Sequence, residues 1–255
     1  MYGWYNSIQI YKNEVVRMNN DLKIAVFADG ADINSMLKQY RGGIVSGFTT
    51  NPSLMKKAGV TDYMAFAKDV VKNIPDMSLS FEVFADDFDT MEKEAEAISR
   101  LGENVFVKIP YMNTKYEKTM PLIKRLTEKS IKVNITVVMT DEQAIEAIDS
   151  VLGGTKCIVS MFAGRVADTG VDPKPMVKRA CEYVKNSGKN IEMLWASCRE
   201  FYNIVEAQEC GCDIITVPDS VLEKFKNYKQ DLTELAHDGV MAFAKDIKSL
   251  GFSIL

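Results

Sequence analysis

A single histidine, His237, is present among 255 residues. That scarcity removes several chemistries at once. Zinc hydrolases and zinc-dependent aldolases draw on two or three histidine ligands. A Ser-His-Asp arrangement would have to use His237, which lies in the amphipathic segment "LTELAHDGVMAFAKDI" and reads there as a helix-surface residue. No Cys-x-x-Cys occurs either. The five cysteines, Cys157, Cys181, Cys198, Cys210 and Cys212, are scattered and odd in number. They read as reduced thiols of a cytoplasmic protein, buried as small apolar residues. The Cys210/Cys212 pair is a weak metal or redox signal beside the simpler reading of helix-to-strand packing. No run of about 18 apolar residues is present, so no membrane span is expected. The opening "MYGWYNSIQIYKNEVVRMNN" lacks the apolar core and small-residue cleavage site of a secretory signal. There is no glycine-rich GxGxxG turn, which leaves a nucleotide-binding fold with little support. Basic residues are not in excess: 31 Lys and Arg against 35 Asp and Glu give a net charge of -4, which argues against a nucleic-acid binder.

What is present is an ordinary core and a regular alternation. With 47% hydrophobic residues the chain can bury a large core. Eight short apolar runs read as strands: "KIAVFAD", "GIVSGFTTN", "SLSFEVFA", "VFVKIP", "KVNITVVM", "CIVSMFAG", "EMLWASCR" and "DIITVP". Between them lie segments with helical spacing, such as "DTMEKEAEAISRLG", "MPLIKRLTEKS" and "PMVKRACEYVKNSG". Asp141 sits where a helix N-cap belongs. Nearly all-apolar strands suit a parallel sheet covered by helices. Eight such units predict an α/β chain folded as a single (β/α)8 TIM barrel, with a doubly wound open sheet as the runner-up. Residues 1–20, with three Tyr and one Trp and no periodicity, read as an N-terminal arm or an upstream extension. Residues 21–255 read as the barrel domain. Its long last helix, "DLTELAHDGVMAFAKDIKSLG", is expected to pack across the barrel or a neighbouring subunit.

In such a barrel, the strand ends at the C-terminal face carry the chemistry. Those ends supply Asp29, Thr49 and Asn51, Glu82, Lys108, Asn134 and Thr136, Ser160 and Phe162 with Arg165 beyond, Ser197 and Arg199, and finally Thr216. Each has an ordinary reading by itself: strand propensity for Thr and Ser, a helix cap for Asp29, a surface position for each arginine. Their convergence on one face is what points to a site.

Lys108 stands out, because "NVFVKIP" sets an amine among Val105, Phe106, Val107 and Ile109. Either it snorkels to solvent or it is buried; apolar residues on both sides favour burial. A desolvated lysine is less basic, and a neutral amine attacks a ketone to form a Schiff base without metal or cofactor. Asp29 and Glu82 are available as proton-transfer groups, with Thr136 to hold a water. Asn51, Asn134 and Ser160 suit sugar hydroxyls. Arg165, Arg199 and the Ser197 hydroxyl suit an anionic tail.

These residues resemble the transaldolases and the related fructose-6-phosphate aldolases over roughly residues 23–220. The segments that carry the likeness are "FADGAD", "GFTTNPSL", "SFEVFA", "NVFVKIP", "KVNITVVM", "CIVSMFAGRVADTG", "WASCR" and "CGCDIITVP". The resemblance implies a single (β/α)8 barrel and no cofactor. It implies Lys108 as the Schiff-base lysine, Asp29 as the acid/base at carbon–carbon cleavage, and Glu82 with Thr136 around a catalytic water. It further implies Thr49, Asn51, Asn134, Ser160 and Phe162 as substrate contacts, and Arg165, Ser197 and Arg199 as a phosphate site. Glu82 and Phe162 are the transaldolase-like choices where the aldolase branch has Gln and Tyr. The expected reaction is transfer of a dihydroxyacetone unit from sedoheptulose 7-phosphate or fructose 6-phosphate to an aldose phosphate such as glyceraldehyde 3-phosphate, as in the pentose phosphate pathway. The alternatives are aldolase-like release of free dihydroxyacetone, or a related sugar with another anionic group. The second is prompted by Met161, Cys198 and "FADGAD", which depart from the family pattern near the site. A cytoplasmic homo-oligomer is expected, with phosphorylated sugars as partners and neither nucleic acid nor membrane.

Overall fold

The computed structural model describes residues 22–254. The expected arm at residues 1–20 lies outside the described residues. Eight parallel strands close into a barrel in sequence order. They are β1 (Ala25–Asp29), β2 (Gly47–Thr49), β3 (Ser78–Glu82), β4 (Val105–Pro110), β5 (Val133–Val138), β6 (Cys157–Met161), β7 (Ile191–Trp195) and β8 (Ile214–Pro218). β1 pairs with β8 as well as with β2, so the sheet has no free edge. Helices follow the strands and cover the outside. The architecture is the (β/α)8 TIM barrel.

Strand alternation divides the apolar residues into two cores. Residues facing outward, such as Val105, Val107 and Ile109 of β4, pack against helix residues including Ala95, Ile98, Leu122, Ile123 and Leu126. Residues facing inward form a separate floor of Phe27, Phe106, Ile158, Leu194 and Ile214. Two residues further along, on the same inward face, come Asp29, Lys108, Ser160 and Thr216, while β7 is followed at that level by Ala196. The floor needs room for its largest ring. A Cβ added at Gly47 would lie 2.7 Å from atoms of the Phe27 ring, so glycine is required there by close approach.

The helix starts follow side-chain chemistry. Asp32, Asp62 and Asp87 each accept from a backbone N–H at the first turn of their helices. Asp141 is not a cap, contrary to the sequence expectation. Thr140 takes that place in a capping box with Gln143, and Asp141, one residue inside, pairs with Arg179 instead. The Cys210/Cys212 pair lies buried in the layer between helices and sheet. Short helices after β2, β6 and β8 (Pro52–Ala58, Ala163–Ala167 and Asp219–Leu222) have no counterpart in the periodicity reading.

The last helix, Leu232–Leu250, buries none of its residues on the barrel. His237 on it is exposed, as expected of a helix-surface residue. No helix among the described residues is long and apolar enough to cross a membrane.

Gly47→Ala is expected to destabilise the protein by about 1–3 kcal/mol, because the methyl must displace the Phe27 ring in a packed floor. A urea midpoint unchanged from wild type would show that the ring moves freely.

Candidate active site

The C-terminal ends of the strands enclose a cavity of about 430 Å³. Eleven of the twelve residues expected from the sequence lie on its wall: Asp29, Thr49, Asn51, Glu82, Lys108, Thr136, Ser160, Phe162, Arg165, Ser197 and Arg199. Asn134 does not. It is fully buried below, where its side-chain oxygen accepts from Ser160 Oγ at 2.6 Å and its nitrogen donates to Ser80 Oγ at 3.1 Å. It holds Ser160 rather than reaching the cavity.

Lys108 is 6% exposed, and its side chain rises on the inward face of β4. The apolar neighbours that mark it in the sequence do not surround its amine: Val107 and Ile109 face the helices. Nζ instead meets two oxygens, Glu82 Oε2 at 3.1 Å and the Thr50 carbonyl at 2.7 Å. Glu82 is opposite Lys108 in the β3–β4 register, so the pairing follows from strand geometry. The end of β3 is itself pinned. Tyr63 Oη donates to the Glu82 carbonyl at 2.7 Å, and the Glu94 carboxylate accepts from the N–H groups of Phe84 at 2.7 Å and Ala85 at 2.9 Å.

Asp29 ends β1. Burial pushes its carboxyl above the ordinary value. The Lys108 charge and a 2.8 Å hydrogen bond from Thr49 draw it part of the way back. A carboxyl so placed can exchange a proton closer to neutrality than an exposed one. Cys198 also lines the cavity. Burial pushes its thiol up to about 12, so it stays protonated and is no rival nucleophile.

The β5 end departs from regular alternation. The β5–β6 register shifts between Ile135 and Val138, and Val137 has a φ of 61°. For a β-branched residue this costs on the order of 1–3 kcal/mol. The consequence is that consecutive residues, Thr136 and Val137, both face the cavity. Thr136 Oγ1 is buried and has no hydrogen-bond partner among the described residues. It is free to hold a reacting oxygen or a water.

The rim carries the cations. Arg165 stacks over the Phe162 ring at 5.0 Å. Arg199 is bound by Asp168 through Nε and Nη2, the shortest contact being 2.5 Å, and gives an Nη1 hydrogen to the Ser197 carbonyl at 3.1 Å. Five N–H donors per guanidinium leave some for an anion. Ser197 has a φ of 66°, and its carbonyl lies against Gly164, where any Cβ would come within 1.6 Å of that oxygen. This fixes the glycine of "FAGR" and brings the Arg165 helix against the Arg199 loop. Asn51 caps the helix Pro52–Ala58 by accepting from Leu54 N at 3.0 Å, which commits its oxygen and leaves its amide hydrogens.

Sequence reading missed Asp168, Val137 and the cavity-lining Pro52, Ser53 and Leu54. Thr216 was visible as the polar residue of β8 but had no role; it touches Thr49 at 2.6 Å.

Comparison with known proteins agrees with this arrangement. The chain matches the family model described as transaldolase/fructose-6-phosphate aldolase over residues 26–254. A probable transaldolase of Ruegeria sp. (strain TM1040) is 32% identical over 229 residues, covering 90% of this chain and 99% of the relative. A probable transaldolase of Dehalococcoides mccartyi is 30% identical, covering 88% of this chain and 98% of the relative. One from Methanococcus maripaludis (strain C7) is 33% identical, covering 86% and 95%. Among solved structures, the crystal structure of 2,3-dimethylmalate lyase, a PEP mutase/isocitrate lyase superfamily member, aligns with a TM-score of 0.53 at 13% identity. That alignment covers 90% of this chain and 88% of the other, and it speaks for the fold alone. With a matching barrel, a lysine–carboxylate pair inside it and relatives aligned end to end, the chain belongs to the transaldolase/fructose-6-phosphate aldolase family.

Proposed function

We propose that this chain transfers a dihydroxyacetone unit from a ketose phosphate, sedoheptulose 7-phosphate or fructose 6-phosphate, to an aldose phosphate such as glyceraldehyde 3-phosphate. The observation that carries the reading is the amine of Lys108, buried and 3.1 Å from Glu82 in the same cavity as Asp29.

The steps follow from the positions. Glu82 accepts a proton from the Lys108 ammonium, and the freed amine adds to the ketone carbon. Glu82 returns the proton to the carbinolamine hydroxyl, which leaves as water near Thr136. The protonated imine then draws electrons from the neighbouring carbon–carbon bond. Asp29 takes the proton of the substrate hydroxyl beyond that bond, the bond breaks, and an aldose phosphate departs. The three-carbon unit stays on Lys108 as an enamine. Its carbon adds to the acceptor aldehyde, Asp29 gives its proton to the new alkoxide, and hydrolysis of the imine frees the product. Thr49, Asn51 and Ser160, the last held by Asn134, are placed for sugar hydroxyls, and Phe162 closes the wall beside Arg165. Arg165, the donors that Arg199 keeps and the Ser197 hydroxyl receive the phosphate.

The last helix supports a homo-oligomer formed with further copies of this chain. Leu232, Val240, Met241, Phe243, Ile247 and Leu250 on it are exposed, a larger apolar face than a lone molecule normally shows. The five cysteines are unpaired, which supports a reducing, cytoplasmic setting.

Incubation of fructose 6-phosphate with an aldose phosphate acceptor tests transfer directly. The expected result is a new ketose phosphate and little free dihydroxyacetone; free dihydroxyacetone as main product would establish the aldolase alternative instead. Lys108→Ala is expected to lose on the order of 10³-fold or more in turnover while keeping the wild-type far-ultraviolet circular dichroism spectrum. Loss of the fold would make Lys108 a structural residue. Arg165→Ala and Arg199→Ala should each raise KM for phosphorylated donors by roughly 10-fold or more, as expected on losing a charge-assisted contact, with smaller effects on kcat. An unchanged KM removes that arginine from the phosphate site. Phe243→Glu with Ile247→Glu should lower the mass measured by light scattering to that of a smaller assembly. Retention of the wild-type mass would take this helix out of the interface.

A further inference from the structure

We propose that Thr216 is a positioning residue for Asp29, acting through the Thr49 hydroxyl as the outer member of a two-hydroxyl relay. The proposal rests on the reading of Asp29 as the group that moves the substrate hydroxyl proton.

Three oxygens on three adjacent strands form a chain. Thr216 Oγ1 on β8 lies 2.6 Å from Thr49 Oγ1 on β2, and Thr49 Oγ1 lies 2.8 Å from Asp29 Oδ1 on β1. β1 stands between the other two strands, pairing Asp29 with Thr49 on one side and Phe27 with Thr216 on the other. Both threonines are buried, with exposures of 3% for Thr49 and 5% for Thr216.

Proton counting sets the direction of the chain. A hydroxyl has one hydrogen to donate. When Asp29 is ionised, Thr49 spends its hydrogen on the carboxylate, so the 2.6 Å contact has to be donated by Thr216. When Asp29 carries a proton on the oxygen facing Thr49, Thr49 accepts it and turns its own hydrogen towards Thr216. The relay therefore satisfies both protonation states that the reaction needs, by rotating two hydroxyls and moving no heavy atom. A hydroxyl that accepts a hydrogen bond is also a better donor. Thr216 thus strengthens the Thr49 donation to Asp29, and the ionised form gains more than the protonated one, because a hydrogen bond to a charged acceptor is the stronger.

The other groups facing Asp29 do not substitute for this. Across the barrel, the charged ones are Lys108 on β4, which favours the carboxylate, and Glu82 on β3, which opposes it. The flanking strands β2 and β8 contribute the hydroxyls of Thr49 and Thr216. With Lys108 and Glu82 engaged with each other, Thr49 is the hydrogen-bond donor that Asp29 meets directly, and Thr216 is the group behind it.

The experiment is the pH dependence of kcat/KM for transfer from fructose 6-phosphate, measured on the whole protein. Thr216→Val keeps the shape and removes the hydroxyl. The low-pH limb should move up by roughly half a pH unit, the sign expected when a carboxylate loses part of its hydrogen bonding. Thr216→Ser should restore the wild-type limb. Borohydride trapping of the donor on Lys108 should persist in both variants, since the relay does not touch the amine. Should Thr216→Val fail to fold, Thr216→Ala read by the same profile takes its place. A low-pH limb unmoved in the folded variant, or moved equally by Thr216→Ser, overturns the relay. Asp29→Ala serves as the control for the underlying reading. If it keeps wild-type cleavage, Asp29 is not the proton-transfer group and the fault lies there. If it loses cleavage while Thr216→Val leaves the limb in place, only the relay is wrong.

Discussion

The contact between Lys108 and Glu82 is the constraint on which the rest of the site depends. Two opposite charges inside a barrel lose their hydration, and their attraction repays that loss only with good geometry and further hydrogen bonds. Both conditions are met. Strand register sets the two residues side by side, the Thr50 carbonyl takes a second lysine hydrogen, and Tyr63 and Glu94 pin the end of β3. The pair is also the proton couple the proposed chemistry requires. One partner is the nucleophile when neutral, and the other is within reach to hold the proton meanwhile.

Around this pair the barrel separates stability from chemistry by depth. Below, Phe27, Phe106, Ile158, Leu194 and Ile214 fill the interior with apolar volume. Above them, four of these five strands turn polar, at Asp29, Lys108, Ser160 and Thr216. The fold keeps that polar layer by pairing its members: Thr216 with Thr49, Thr49 with Asp29, and Asn134 with Ser160. Thr136 is the exception, and it sits where the backbone is strained at Val137. A bulge that costs energy and delivers an unpaired hydroxyl to the cavity fits a site arranged for a reactant.

Much of this could be read from the chain. The barrel was legible because eight apolar runs alternate with amphipathic segments; seven of the runs contain the observed strand, and β7 begins one residue earlier, at Ile191. Lys108 was legible because a charge in "VFVKIP" is costly without a partner. Its reason was only half right, since alternation turns Val107 and Ile109 outward and gives the amine a carboxylate instead. Asn134 shows what pattern leaves out. A period of two tells inward from outward, but depth within the barrel depends on how the strands are staggered, and Asn134 lies one level too low. Val137 had no signal, because valine with positive φ is set by its surroundings. The pairing of Asp168 with Arg199 joins residues 31 positions apart across two loops, which no local spacing reveals.

The proposed reaction requires Lys108 to bond covalently to a ketose phosphate. Borohydride reduction of the enzyme mixed with fructose 6-phosphate, followed by peptide mass spectrometry, tests it most directly. A reduced three-carbon adduct is expected on Lys108 and on no other lysine. An unmodified Lys108 in active enzyme, or an adduct carried elsewhere, would contradict it.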